Sequence, residues 1–108
     1  MATDPDLPPP EKILVHVDPE IADLVPGFLD NRRKDVTAML DALDKNDFEA
    51  IRILGHSMKG VGGGYGFDAI TEIGAALEQA AKNTNPEDVR KGLRDLTAYL
   101  ERVEAITD

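Results

Sequence analysis

The sequence predicts an all-α fold, an antiparallel four-helix bundle with a short additional N-terminal helix. Two observations support this prediction. Apolar residues recur at helical spacing in successive segments between residues 18 and 103. The connections between these segments are short and contain residues that begin or end helices. Short connections favour antiparallel neighbours, because a chain that turns within a few residues returns beside the helix it has just left.

The N-terminal part of the bundle is predicted as two helices. Asp18-Pro19 has the form of an N-cap followed by proline at the first helical position. Pro26-Gly27 interrupts the pattern that follows, so we expect a short first helix and then a long one to about Leu43. Their apolar stripe comprises Ile21, Leu24, Val25, Phe28, Leu29, Val36, Met39, Leu40 and Leu43.

The three remaining helices begin at polar capping residues. Asn46 or Asp47 is expected to cap the first of them, Asp68 the second and Asn85 the last. Gly66 is expected to end the first, because glycine readily adopts the left-handed conformation that closes a helix. The stripes of these helices comprise Phe48, Ile51, Leu54, Met58, Val61 and Tyr65, then Ile70, Ile73, Leu77 and Ala80, and finally Val89, Leu93, Leu96, Leu100 and Val103.

The chain is predicted to divide into a flexible leader or linker, residues 1–17, and the bundle domain, residues 18–108. Residues 1–11 are acidic and proline-rich, a composition typical of a linker. Residues 12–17 could form a short extended stretch but have no evident hairpin partner, so we predict coil there. The linker-like leader leaves open whether the domain is free-standing or part of a larger chain.

The charge of the chain argues against several classes of partner. Twelve basic residues against twenty-one acidic ones give a formal net charge of −9, which repels phosphate backbones and anionic lipid. We therefore expect neither nucleic acid nor membrane as a partner, and no apolar run approaches the ~18 residues that a membrane span requires. The chain has no cysteine, which excludes disulfides and cysteine-bound zinc. We expect a cytoplasmic location.

One histidine is predicted to face solvent from the second long helix. At ~100° per residue, His56 falls roughly opposite the apolar cluster that includes Ile51, Gly55, Met58 and Gly62. An exposed imidazole on a rigid helix is in large part neutral and nucleophilic near neutral pH. Such a group is suited to attack on a phosphoryl group.

The neighbours of this histidine strengthen the prediction. Lys59 and Gly60 lie one helical turn away, where the ammonium of the lysine can reach a phosphoryl oxygen. Each glycine within a helix costs ~1 kcal/mol relative to alanine, so the glycine-rich run must serve close packing or exposure. We expect Gly55 and Gly62 to admit a neighbouring helix, and Gly60 and Gly63 to face outward and admit a partner.

Ile53 lies one turn before His56 and is predicted to point outward with it. Together with Gly60 and Gly63 it would form a small apolar patch around the histidine. An isolated exposed isoleucine has little meaning. In this position it is predicted to contact the protein partner.

Residues 56–67, HSMKGVGGGYGF, resemble the signature of the histidine-containing phosphotransfer (HPt) domain family. The shared features are His, two residues, Lys-Gly, a run of small residues, and Gly ten positions after the histidine. Leu77-Glu78 is similar to the Leu-Glu pair that commonly follows on the next helix of the family. The similarity covers about Asp18 to Val103. One departure is the Gly62–Gly64 run, where the family more often has alanine or serine.

The resemblance implies that His56 accepts a phosphoryl group from a receiver aspartate and passes it to another receiver in a two-component phosphorelay. The domain would then be a phosphoryl carrier and not an enzyme. It would need no cofactor of its own, because the partner receiver supplies Mg²⁺. The implied partners are receiver domains and a hybrid histidine kinase, with the chain itself a monomer. The resemblance also offers Glu78 as the residue that orients the imidazole, although it could be a simple surface acid.

Other interpretations remain open beside this one. The domain could be an HPt-like docking module that binds a receiver or kinase and transfers nothing. A metal-binding bundle using His56 and Glu78 is a weaker alternative, because the chain lacks the Glu-x-x-His pairs of di-metal bundles. No sequence motif surrounds His16, so we predict no functional role for it. Residues 32–34 are predicted to form a solvated helix face. Asp41, Asp44 and Asp47 lack the spacing of a metal-binding loop and are predicted to serve capping and solubility.

Overall fold

The computed structural model describes residues 11–107, so the prediction for residues 1–10 lies outside them. Four long helices form the architecture, and the predicted four-helix bundle is confirmed: α1 (Val25–Asp44), α2 (Phe48–Gly62), α3 (Asp68–Lys82) and α4 (Pro86–Arg102). Each helix packs on the next and α1 also packs on α4, with the closest pairing between α2 and α3. Within residues 11–107, no helix combines the length and the apolar character needed to cross a membrane.

Side-chain caps begin two of the helices where the sequence predicted them. The Asp47 carboxylate accepts a hydrogen bond from the backbone N–H of Ala50 at 3.1 Å. The Asn85 side chain accepts one from the N–H of Asp88, also at 3.1 Å, and proline follows Asn85 as predicted. The predicted cap at Asp68 is wrong, because the backbone of the buried Phe67 takes the capping position and places Asp68 in the first turn of α3.

Three helix ends are closed by a residue in the left-handed conformation: Asn46 (φ 57°), Gly66 (φ 87°) and Thr84 (φ 52°). After α2 the chain makes a 3₁₀ turn, Gly63–Tyr65, before Gly66 ends it as predicted. The amide of Phe67 then bonds the carbonyl of Gly62 at 2.9 Å, a pattern that satisfies carbonyl groups left over at a helix end.

The coil prediction for residues 12–17 is wrong. A strand, β1 (Ile13–His16), pairs in parallel with β2 (Val103–Ile106), which follows α4 directly. Ile13 lies opposite Val103, and the amide of Val17 extends the ladder to the carbonyl of Ile106 at 2.8 Å. The partner strand lies at the other end of the sequence, where no nearby hairpin pattern could indicate it. Val103 consequently begins a strand and does not belong to the last helix.

The predicted N-terminal helix is shorter than expected and begins later. Asp18 forms a turn in which its carboxylate accepts the N–H of Glu20 at 2.9 Å. Between residue 11, where the described part of the chain begins, and α1, the only helical element is the 3₁₀ turn Ala22–Leu24. Pro26 lies in the first turn of α1, where its missing N–H costs nothing. The Pro-Gly pair therefore begins the long helix and does not separate two helices.

The core confirms most of the predicted stripes but not every member. The largest fully buried side chains are Phe67, Met39, Ile51, Met58, Ile70, Leu77, Leu96 and Val89. Leu24 and Leu40 were predicted in the core, yet they are 55% and 51% exposed. Leu40 lies at an apolar groove between α1 and α4 that also includes Val36 and Leu93.

Arg32 departs from the solvated helix face predicted for residues 32–34. Its guanidinium lies 4.9 Å from the centre of the Phe28 ring, which in turn stacks on Tyr65 at 4.3 Å. The Nε atom of Arg32 lies 2.8 Å from a carboxylate oxygen of Asp35, and both side chains are largely buried. Burial raises the pKa of Asp35, and the nearby Arg32 opposes that rise. Arg32 is buried because its guanidinium contacts the ring of Phe28 and pairs with Asp35, three residues later.

Candidate functional site

Helices α2 and α3 approach one another closely because glycines occupy their contact. A Cβ atom at Gly74 would lie 2.5 Å from the amide nitrogen of Lys59, and one at Gly55 would lie 2.8 Å from the amide nitrogen of Glu78. A Cβ at Gly62 would similarly lie 2.7 Å from the amide nitrogen of Thr71. The prediction that Gly55 and Gly62 admit a neighbouring helix is confirmed. This proximity brings side chains of α3 beside those on the outer face of α2.

His56 projects from the middle of α2 with 67% of its side chain exposed, as predicted. Its ring is nevertheless held on one side. The Nδ1 atom lies 2.8 Å from Oε2 of Glu78, which belongs to α3. The imidazole is therefore oriented by a neighbouring helix while most of its surface stays accessible.

Glu78 is a buried carboxylate and not a surface acid, with only 8% of its side chain exposed. Its second oxygen, Oε1, accepts a hydrogen bond from Nζ of Lys59 at 3.0 Å. This bond and the one from His56 lower the pKa of Glu78, against the opposing effect of burial. The group is thus ionised near neutral pH, which is the expected state of a buried acid with hydrogen-bonded partners.

This arrangement determines which ring nitrogen of His56 can act as a nucleophile. An ionised carboxylate has no proton to donate, so the hydrogen bond to Glu78 requires the proton to reside on Nδ1. In the neutral ring the lone pair then belongs to Nε2. The pair can therefore present a basic nitrogen of fixed identity to an electrophile that approaches the exposed ring.

Thr71 is a site residue that the sequence reasoning missed. Its hydroxyl donates to the carbonyl of Lys59 at 3.1 Å and accepts the amide N–H of Gly63 at 2.8 Å. It thereby attaches the end of α2 to α3 just beyond the histidine. The signal in the sequence is weak, because a threonine in the first turn of a helix usually has only local partners.

The three residues predicted to line a partner surface all face outward. Ile53 is 54% exposed, which is high for a large apolar side chain. A Cβ at Gly60 would meet no atom within 4 Å, so the surface there is open. Gly63 is also exposed, and a Cβ there would make ordinary contact with Thr71. The predicted partner contact itself stays a prediction.

A second lysine also borders the carboxylate and was not singled out from the sequence. Nζ of Lys82 lies 4.0 Å from Oε2 of Glu78, four residues earlier on the same helix. That spacing is the signal that could have found it. Within residues 11–107, no three histidine, aspartate or glutamate side chains come together as a metal site. The pair of His56 and Glu78 thus has no third ligand of this kind there.

The fold and the site define a class of protein: a four-helix bundle that presents an exposed histidine against a buried carboxylate. The family model described as Hpt domain matches residues 23–106, more than half of the chain. The chain therefore belongs to the Hpt domain family, as its signature indicated. Neither the curated proteins nor the solved structures contain a significant match. Hpt domains are phosphocarrier modules that interact with receiver domains in phosphorelays.

Proposed function

We propose that this protein carries a phosphoryl group on Nε2 of His56 between receiver domains of a two-component phosphorelay. The observation that carries the proposal is the hydrogen bond between Nδ1 of His56 and the buried Glu78 carboxylate. It leaves Nε2 as the basic nitrogen of a ring that is mostly exposed. Membership of the Hpt domain family supports the same assignment.

The transfer step needs little from the carrier beyond this nitrogen. The Nε2 lone pair attacks the phosphorus of a receiver aspartyl phosphate, and the P–O bond to the aspartate breaks with its electron pair staying on the carboxylate. The proton on Nδ1 stays against Glu78 throughout. In onward transfer the P–N bond breaks and the phosphoryl group passes to a second receiver aspartate. We expect the receiver to supply Mg²⁺, and the carrier to need no cofactor of its own.

The surroundings of His56 fit a carrier that is approached by a large partner. Lys59 is one turn away, where its ammonium can neutralise part of the charge on the phosphoryl group. Ile53, Gly60 and Gly63 leave an open and partly apolar surface over which a receiver helix can lie. The proposed partners are accordingly receiver domains, including that of a hybrid histidine kinase, with the carrier acting as a monomer.

The experiment that tests this proposal is labelling by a phosphorylated receiver. Wild type and His56→Gln are incubated with the receiver, with His16→Gln as the matched control because His16 is the only other histidine of the chain. We expect an acid-labile label on the wild type and on His16→Gln, and none on His56→Gln. The variant should still fold, because glutamine keeps an N–H donor for Glu78 and the site is exposed.

Two outcomes would contradict the assignment. Equal labelling of His56→Gln and wild type would show that another residue is phosphorylated. An acid-stable label would exclude phosphohistidine. A wild-type domain that binds several receivers but accepts no phosphoryl group from any of them would identify a docking module instead.

A further inference from the structure

The hydroxyl of Thr71 lies within the backbone hydrogen-bond ladder at the end of α2. In an α-helix each amide pairs with the carbonyl four residues earlier, so the partners at this point are the carbonyl of Lys59 and the amide of Gly63. Both of these groups bond to Oγ1 of Thr71, which donates to the carbonyl at 3.1 Å and accepts the amide N–H at 2.8 Å. One side chain of α3 thus bridges two backbone groups that a helix normally joins to each other.

This bridge is possible because residue 62 has no side chain. A Cβ atom at Gly62 would lie 2.6 Å from Oγ1 of Thr71, a distance at which the two atoms overlap. The hydroxyl therefore occupies the space that any larger residue at position 62 would fill. The bridge also stands where α2 ends at Gly62 and the 3₁₀ turn Gly63–Tyr65 begins. A side chain inserted into the ladder is a recognised cause of such local changes in helix geometry.

The segment that Thr71 holds is part of the open surface beside His56. Four of the five residues 60–64 are glycine. A Cβ atom at Gly60 or Gly64 would meet nothing within 4 Å, so this surface is open. Glycine loses more conformational freedom on folding than any other residue and has no side chain to fix its backbone. The shape of the segment consequently depends on backbone contacts, and Thr71 supplies two of them.

The Thr71 bridge is separate from the contacts that orient the imidazole. Nδ1 of His56 and Nζ of Lys59 both bond to Glu78, about two turns further along α3. Loss of the Thr71 hydroxyl would leave these two bonds in place. It would free the carbonyl of residue 59 and the amide of residue 63 to pair directly, as in a regular helix. The glycine surface would then change its shape while the imidazole kept its partner.

We propose that Thr71 is a positioning residue that sets the shape of the receiver-docking surface by bridging Lys59 and Gly63. This inference rests on the proposed function, in which a receiver lies over that surface to reach His56. Thr71 acts through the backbone of α2 and takes no part in the transfer step. A merely structural threonine would change the stability of the domain and leave its affinity for the receiver unaltered.

The test compares two variants that lack the hydroxyl with one that keeps it. Thr71→Val retains the branched shape, Thr71→Ala removes the hydroxyl without adding a methyl group, and Thr71→Ser retains the hydroxyl. Thr97→Val is the matched control, because Thr97 is an exposed threonine on α4 at the groove with α1. Single-turnover transfer is measured at increasing concentrations of a phosphorylated receiver that labels the wild type. Circular dichroism and urea denaturation are the folding controls.

We expect Thr71→Val and Thr71→Ala to raise the half-saturating receiver concentration about threefold to tenfold, as for the net loss of one hydrogen bond. The limiting transfer rate should stay at the wild-type value, because the bond between His56 and Glu78 is kept. Thr71→Ser and Thr97→Val should match wild type in both quantities.

An unchanged half-saturating concentration in the variants without the hydroxyl would overturn this inference, while labelling of His56 would still support the carrier function. Failure of Thr71→Ser to match wild type would also overturn it, because the hydroxyl would then not be the group that matters. So would a lower limiting rate at an unchanged half-saturating concentration, which would place the effect on the transfer step. Absence of label on the wild type would instead overturn the carrier function itself.

Discussion

Nδ1 of His56 and Oε2 of Glu78 lie 2.8 Å apart across the interface between α2 and α3. One member of this pair is exposed and the other is buried, so the contact joins a surface imidazole to the interior of the protein. The carboxylate is itself held by Lys59. Orientation of the imidazole therefore depends on the packing of two helices and not only on its own helix.

Removal of the Glu78 carboxylate is expected to slow phosphoryl transfer without abolishing it. Glu78→Ala should lower the single-turnover rate roughly tenfold to a hundredfold, since a hydrogen bond to a charged group contributes ~1.5–3 kcal/mol. Glu78→Gln should lose less, because its amide oxygen still accepts the Nδ1 proton. Glu72→Ala, on an exposed position of α3, is the control. Equal rates for Glu78→Ala and the control would show that the carboxylate does not orient the ring.

Glu78 also makes stability depend on pH in the acid range. Hydrogen bonds from Lys59 and then His56 hold its pKa below the ordinary value of 4.5. The unfolded chain takes up the proton at higher pH than the folded chain, so this contribution is complete above pH 4.5 and is lost as the pH falls through the folded pKa. In urea denaturation, the free energy of unfolding of wild type should fall more steeply below pH 4.5 than that of Glu78→Gln. If the free energy of unfolding falls equally steeply with pH in wild type and in Glu78→Gln, Glu78 is not the source of this pH dependence.

The surface around His56 is predicted to bind the receiver. Ile53→Asp should weaken binding about tenfold or more, because burial of most of an isoleucine contributes ~1.5–3 kcal/mol. Gly60→Gln should weaken it by steric block, since the space above Gly60 is open. Leu40→Asp is the matched control, because Leu40 is as exposed as Ile53 but lies at the groove between α1 and α4. Calorimetry that finds all three variants equal to wild type would place the docking surface elsewhere.

The glycines of the site are expected to respond to alanine in opposite directions. Gly74→Ala should destabilise the domain by ~1–3 kcal/mol, because its Cβ would lie 2.5 Å from the backbone of α2. Gly60→Ala should stabilise it by up to ~1 kcal/mol, because nothing lies within 4 Å and alanine favours the helix. Urea denaturation of both variants measures the difference. The same sign for both changes would disprove this account of the helix contact.

Thr84 occupies a conformation that suits glycine better. Its φ of 52° lies in the left-handed region, which a β-branched residue tolerates poorly. Thr84→Gly relieves the steric cost of the left-handed conformation but adds conformational freedom to the unfolded chain. The net effect should be a free energy of unfolding raised by about 1 kcal/mol. Asn46→Gly is a useful comparison, because asparagine already tolerates φ of 57° and should gain less. A destabilised Thr84→Gly variant would contradict this explanation.

Local chemistry was sufficient to predict much of this molecule. The helical period predicted that His56 faces outward. The spacing of the glycines predicted that Gly55 and Gly62 face a neighbouring helix and that Gly60 faces outward. These features depend on residues within a few turns of one another, where geometry is set by a single helix. The signature from His56 onward indicated the family, and the family model agrees.

Features that depend on contact between distant segments were not predictable in the same way. The pairing of Ile13 with Val103 has no local sign, because both strands are short and their partners lie at opposite ends of the sequence. The inward position of Arg32 depends on the ring of Phe28 in α1, which stacks on Tyr65 from the turn after α2. Likewise, the sequence does not show that Lys82 and His56 contact the same oxygen atom of Glu78.

The parallel ladder of β1 and β2 gives the domain a particular mechanical behaviour. Tension that enters before Ile13 and leaves after Ile106 pulls the two strands past each other along their length. The interstrand hydrogen bonds then bear the load together in shear, whereas an antiparallel hairpin pulled at its open end would lose them one at a time. Rupture of this small ladder would therefore be an all-or-none event that precedes any unravelling of α4 from its C-terminal end.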